Sequence, residues 1–194
     1  HYIEVPKIGK VNFYQNKAPK WYKNRTKVCS LTFSKTPSNE IYVSILFEIR
    51  VNSQKKEFND ENQAIGLDFD CDDMYIDSDG KSALKDFGFK KQKQLNSKKL
   101  SHLQRQFARK CKNSKNREKA RIKLSKFEEH IANCRKDWIE KETNRLVNNY
   151  QVIGVENLSI QGMMKGSRNA KNYQDISWSS FVSKLEQKSQ FRNC

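Results

Sequence analysis

The residues that break or crosslink a chain are scarce: 194 residues include three prolines, seven glycines and five cysteines. With 36% apolar residues, this composition excludes a disordered low-complexity chain and predicts a folded domain. The cysteines are odd in number and form no CxxC pair. We therefore expect neither a disulfide framework nor a zinc site, but reduced thiols in a cytoplasmic protein.

Long apolar runs are absent as well. No run approaches the roughly 18 residues that cross a membrane, so we expect no membrane-spanning helix. The first residues, His1 to Glu4, lack an initiator methionine, a charged n-region and an apolar h-region. The expectation is a cytoplasmic protein without a signal peptide, represented by a chain that begins inside a longer protein.

Acidic residues are outnumbered, with 22 Asp and Glu against 38 Lys and Arg and a net charge of +16, which predicts an anionic partner. Between Lys98 and Lys126 there are twelve basic residues and one acid, Glu118. Such a run is often only a solvated helix face. Here, however, acidic i+4 partners are nearly missing, so we expect nucleic-acid phosphates to supply the countercharge. The candidate contacts are Lys98, Lys99, Arg105, Arg109, Lys110, Lys112, Lys115, Arg117, Lys119 and Arg121.

The pattern of apolar residues divides the chain. Short apolar runs separated by Pro and Asn in residues 1–62 are typical of antiparallel strands with turns. The polar segment 51–63 is predicted to connect them to a second domain, residues 63–194. In that domain we predict strands at 64–70, 73–78 and 152–156, a helical hairpin at about 95–148, a polar loop at 157–172 and a last helix at 176–188.

Two carboxylates stand at predicted strand ends. Asp68 alternates with apolar residues in the first strand, and Glu156 ends the last one. Ligands of open α/β sheets gather at the carboxyl ends of strands, and converging carboxylates repel unless a cation lies between them. Magnesium suits such oxygen ligands. Surface or turn acids are the alternative, because spacing alone does not show that the two residues meet.

Six segments of the chain form a recognisable series. They are IGLDFD (65–70), DSDGK (77–81), LQRQFARK (103–110), SKNREKARIKLSKFEEHIANCRKDW (114–138), VIGVENLSIQGMMK (152–165) and ISWSSFVSKLEQKS (176–189). Together, and in this order, they resemble the OrfB/TnpB family of nucleases encoded by insertion sequences, which are relatives of type V CRISPR effectors. The resemblance covers most of the chain. It implies an RNA-guided, Mg²⁺-dependent DNA endonuclease, often described as a transposase, with guide RNA and target DNA as partners.

The fold class that the resemblance implies is α/β. It would be an RNase H-like (RuvC-type) mixed sheet with an inserted basic helical hairpin, preceded by a partial antiparallel β-barrel of the wedge type in residues 1–62. The family's first catalytic Asp falls on Asp68 and its catalytic Glu on Glu156, and both would bind Mg²⁺. Asp70, where the family has a small residue, is a candidate additional ligand.

The family's third catalytic Asp follows a zinc ribbon, and neither occurs in this chain. The leading hypothesis is therefore a truncated, cleavage-deficient piece of a transposon-encoded RNA-guided DNA endonuclease, and whether it acts as an enzyme is left open. A nuclease-dead module that binds RNA or DNA is one alternative. A general basic RNA-binding protein is another, although it leaves Asp68 and Glu156 unexplained.

Overall fold

The computed structural model separates the chain into two compact units, which are residues 1–36 with 41–51, and residues 37–40 with 52–194. The predicted connection at residues 51–63 lies outside the described residues. The residues that the structure describes are 2–14, 27–48, 64–83, 89–165 and 177–192.

The first unit contains two antiparallel hairpins. One pairs β1 (Tyr2–Val5) with β2 (Gly9–Asn12), and the other pairs β3 (Lys27–Lys35) with β4 (Ile41–Glu48). In the described residues these hairpins form two separate two-stranded sheets. The predicted antiparallel strands are thus present, and the barrel stays a prediction.

The second unit contains a mixed three-stranded sheet. Its central strand, β5 (Ala64–Asp70), pairs antiparallel with β6 (Met74–Asp77) and parallel with β7 (Val152–Val155). Because side chains alternate along a strand, Ile65 and Leu67 are buried while Asp68 is exposed. All three predicted strands are confirmed to within one residue at each end.

Four helices complete the described part of this unit. The hairpin is confirmed as α1 (Phe89–Ala108) and α2 (Lys115–Asn149). The first of these begins before the predicted residue 95 because its opening segment FKKQKQ is rich in helix-forming Lys and Gln but lacks a repeating apolar stripe. A short helix, α3 (Ile160–Met164), lies where only a loop was predicted, and α4 (Trp178–Arg192) is the predicted last helix.

Aromatic side chains of the helices pack on the buried face of the sheet. The Phe181 ring centroid lies 5.4 Å from that of Trp178, 5.7 Å from that of Tyr75 and 6.4 Å from that of Trp138. Ile65 and Leu67 belong to the same cluster. The helices therefore cover the face opposite to Asp68.

A buried polar network ties β6 to α2. Glu142 is only 2% exposed, accepts a hydrogen bond from the Tyr75 hydroxyl, and binds the Arg145 guanidinium at 2.7 Å. Arg145 also donates to the Tyr75 hydroxyl oxygen over 3.2 Å. Burial, with the added effect of Glu142, raises the pKa of Tyr75 above its usual range, so the phenol stays protonated.

None of the helices that the structure describes combines the length and apolarity that a membrane span requires. The cysteines at positions 29, 71, 111 and 134 form no disulfide with one another.

Candidate functional site

The pairing of β5 with β7 places the two candidate catalytic carboxylates. In this parallel pair Gly66 lies opposite Gly154 and Leu67 opposite Val155. The residues that follow Leu67 and Val155 are Asp68 and Glu156, and both are exposed. Adjacent strands lie about 4.8 Å apart, so the backbone positions of Asp68 and Glu156 are neighbours at the carboxyl ends of β5 and β7. The predicted adjacency of the two strands is confirmed.

Beside these carboxylates the sheet carries a pair of glycines. Gly66 and Gly154 are paired, exposed and on the same face as Asp68. A Cβ atom at Gly154 would meet only ordinary van der Waals contacts, at 3.8 Å from the Ile65 carbonyl oxygen and 3.9 Å from the Gly66 Cα. A Cβ atom at Gly66 would lie 3.9 Å from the Ser78 Cβ, which borders the pair. The two glycines themselves carry no side chain, which favours the close approach of another backbone.

Asp70 is used locally by the turn that follows β5. Its Oδ1 atom accepts hydrogen bonds from the backbone N–H groups of Asp72, at 2.8 Å, and Asp73, at 2.6 Å. Within the described ranges no three His, Cys, Asp or Glu side chains come together as a metal site. The structure therefore does not bring Asp70 into a three-ligand site with Asp68 and Glu156.

A cavity of about 750 Å³ lies between β7 and α4, and Glu156 forms part of its wall. The residues that line it include a second carboxylate, Glu186, together with apolar side chains such as Val155, Trp178 and Val182. Among the described residues its lining contains no Lys or Arg. A phosphate near Glu156 would therefore need a cation to offset the negative charge.

Two of the ten candidate nucleic-acid contacts bind other groups of the protein. The Arg117 guanidinium lies 4.2 Å from the Phe107 ring centroid and donates to the Lys110 carbonyl oxygen at 2.8 Å. Arg121 contacts Glu118 at 2.7 Å, lowering the pKa of that carboxyl, and donates to the Pro37 carbonyl oxygen at 2.7 Å. Both side chains have partners within the protein, and their contact with nucleic acid stays a prediction.

Two further candidates make weaker internal contacts. The Lys99 ammonium lies 4.6 Å from the Phe127 ring centroid, and Arg105 Nε donates to the Ser101 carbonyl oxygen at 3.3 Å. Six candidates remain that are exposed and make no ion pair with any other described residue. They are Lys98, Arg109, Lys110, Lys112, Lys115 and Lys119.

Three of these six share a cleft between α1 and α2 near the turn of the hairpin. The cleft has a volume of about 380 Å³, and its remaining lining consists of two side chains that were not candidates and one alanine. Lys123 belongs to the basic run between Lys98 and Lys126 but was not among the ten candidate contacts. No pattern in the sequence indicated Gln106. The lining residues are Gln106, Arg109, Lys110, Lys119, Ala120 and Lys123.

Arg117→Gln should lower the free energy of unfolding by about 1–2 kcal/mol, because it removes a cation–π contact and a hydrogen bond at the end of α1. Thermal unfolding followed by circular dichroism measures this change. Lys115→Gln removes the same charge from an exposed position and should leave the melting temperature nearly unchanged. Equal melting temperatures for the two variants would contradict the structural role of Arg117.

Residues 44–167 match the family model OrfB_IS605, which is described as "Probable transposase". The chain belongs to this family. A relative from Streptomyces pristinaespiralis, named "Putative RNA-guided DNA endonuclease", is 27% identical over 159 residues, covering 82% of this chain and 38% of the relative. A relative from Escherichia coli K12, named "Putative RNA-guided DNA endonuclease InsQ", is 31% identical over 168 residues, which cover 85% of this chain and 38% of the relative. The chain thus spans 38% of the length of these two relatives.

Proposed function

We propose that this chain is the part of a cytoplasmic RNA-guided DNA endonuclease that holds Mg²⁺ with Asp68 and Glu156 and binds guide RNA and target DNA through its basic hairpin. The observation that carries the proposal is the parallel pairing of β5 with β7, which puts an exposed Asp and an exposed Glu at neighbouring strand ends. The endonuclease names of the two relatives support it. The sheet is then the beginning of a RuvC-type, RNase H-like domain.

The donor set at the two strand ends fits one magnesium ion. Mg²⁺ is commonly held by one or two carboxylates, with water and substrate phosphate completing its coordination. When bound, the ion supplies Lewis acidity towards a phosphodiester. Asp68 and Glu156 hold it at the exposed face, and the Gly66–Gly154 pair keeps that face open to a nucleic-acid backbone.

Binding of Mn²⁺, followed by electron paramagnetic resonance, tests the metal site. We expect one ion per chain, and we expect Asp68→Asn and Glu156→Gln each to weaken binding by about tenfold or more, because each removes one of only two charged ligands. Asp79→Asn is the matched control, since Asp79 is an exposed turn residue paired with Lys81. Unchanged binding in Asp68→Asn would overturn the metal site.

By itself, this chain should bind nucleic acid without cutting it. Hydrolysis with two metal ions needs carboxylates for both, and Asp68 and Glu156 form no group of three His, Cys, Asp or Glu ligands with any other described residue. This observation also favours the second candidate function, a nuclease-dead binding module. Incubation with Mg²⁺, guide RNA and target DNA should give no guided cleavage. Cleavage that disappears in Asp70→Asn would contradict this expectation and identify Asp70 as a ligand.

A further inference from the structure

The cleft between α1 and α2 is built from residues that repeat at helical spacing. Gln106, Arg109 and Lys110 follow one another at i, i+3 and i+4 on α1, and Lys119 and Lys123 stand at i and i+4 on α2. Positions with these spacings share one face of a helix. Each helix therefore turns a polar, basic face towards the other at this end of the hairpin.

Four cations surround this space without an acid to balance them. In the part of the chain that the structure describes, Arg109, Lys110, Lys119 and Lys123 make no ion pair. The one acid of the surrounding charge run, Glu118, is held by Arg121 at 2.7 Å and is not part of the lining. The free protein thus keeps four like charges at one cleft, which costs stability unless an anion binds.

The chemistry of the lining selects the kind of anion. A guanidinium and three ammonium groups suit phosphate oxygens, which Arg can bind in a bidentate manner. The volume of about 380 Å³ falls within the range of small-ligand sites, and its lining contains no aromatic side chain on which a base could stack. Contacts of this kind position a backbone and carry no sequence information directly.

We propose that the cleft between α1 and α2 is a site that binds consecutive backbone phosphates of one nucleic-acid strand. This inference rests on the proposed function and deepens it, because it assigns phosphate binding to four particular cations. Cations elsewhere on the hairpin then contribute only long-range attraction. RNA and DNA share the phosphodiester, so both are used as probes.

The test compares two triple variants that lose the same charge. The cleft variant carries Arg109→Gln, Lys119→Gln and Lys123→Gln. The control variant carries Lys98→Gln, Lys112→Gln and Lys115→Gln, three exposed positions of the same hairpin that are outside the cleft lining. Fluorescence anisotropy measures their binding to a fluorescein-labelled RNA strand, a DNA strand of the same sequence and the duplex DNA, each over a series of salt concentrations.

The cleft variant should lose roughly 100-fold in affinity near 0.1 M salt, and its slope of log K against log salt should become shallower by about 2–3, since each phosphate contact contributes about 0.7–0.9. The control variant should lose less than about tenfold. The single-strand probe with the larger loss identifies the strand that enters the cleft. The melting temperature of the cleft variant should rise, because charge repulsion is relieved.

Equal losses in both triple variants would overturn the cleft and leave nucleic-acid binding by the hairpin intact. A wild-type chain that binds none of the three probes would overturn the proposed nucleic-acid binding itself. A cleft variant with a lowered melting temperature would contradict the inferred repulsion, and Lys123→Gln alone would then report the affinity change without the loss of stability.

Discussion

Phe181→Ala is expected to lower the free energy of unfolding by about 4 kcal/mol, because it removes a buried ring and leaves a cavity that its neighbours fill only in part. Phe181 is 0% exposed and its ring contacts those of Trp178, Tyr75 and Trp138. Urea unfolding followed by tryptophan fluorescence measures the change.

Phe33→Ala is the matched control for this prediction. It makes the same substitution on β3 at a side chain that is 42% exposed. It should cost less than about 1 kcal/mol, since most surface substitutions have small effects. Similar costs at both positions would contradict the central place of Phe181 in the core.

Glu142→Gln should cost about 2–3 kcal/mol of unfolding free energy. Removing one partner of a buried ion pair typically costs about 3–5 kcal/mol, and the value is lower here because the Arg145 side chain is 43% exposed and reaches water. Glu140→Gln is the control, because Glu140 pairs with Lys184 and Lys188 at a more exposed position and should cost about 0–1 kcal/mol. Equal losses would contradict the importance of burial.

The raised pKa of Tyr75 gives the same network a signature in alkaline solution. A folded-state pKa above the unfolded value of about 10 means that the contribution of Tyr75 to stability is complete below pH 10 and is lost as the pH rises further. Tyr75→Phe removes the titrating group. Its stability should therefore fall less between neutral and strongly alkaline pH than that of the wild-type chain.

The sequence was informative where one residue type repeats with a clear period. Alternation of Ile65 and Leu67 with polar residues predicted both the strand and the exposure of Asp68. Apolar residues at 3–4 spacing predicted the hairpin. These patterns succeed because periodicity reports which side of an element is buried.

The partners of individual cations could not be predicted in the same way. Arg117 and Arg121 look like their basic neighbours in the sequence, but they bind carbonyl oxygens and Glu118 through long side chains whose direction depends on the packed hairpin. Nor did the sequence indicate that two backbone N–H groups of the following turn would bind the Asp70 carboxylate. Predicting the cleft would have required the relative position of α1 and α2, which the spacing of residues along one helix does not specify.

Iron-mediated cleavage of the polypeptide tests most directly the central claim, that Asp68 and Glu156 hold one metal ion. Fe²⁺ bound in place of Mg²⁺ produces hydroxyl radicals when ascorbate and peroxide are added, and these radicals cut the chain close to the ion. A shared site predicts two cuts, near residues 68 and 156, which excess Mg²⁺ suppresses. Asp68→Asn should abolish both cuts together, and Asp79→Asn should retain them. A cut at only one of the two positions, or cutting that persists in Asp68→Asn, would contradict the shared site.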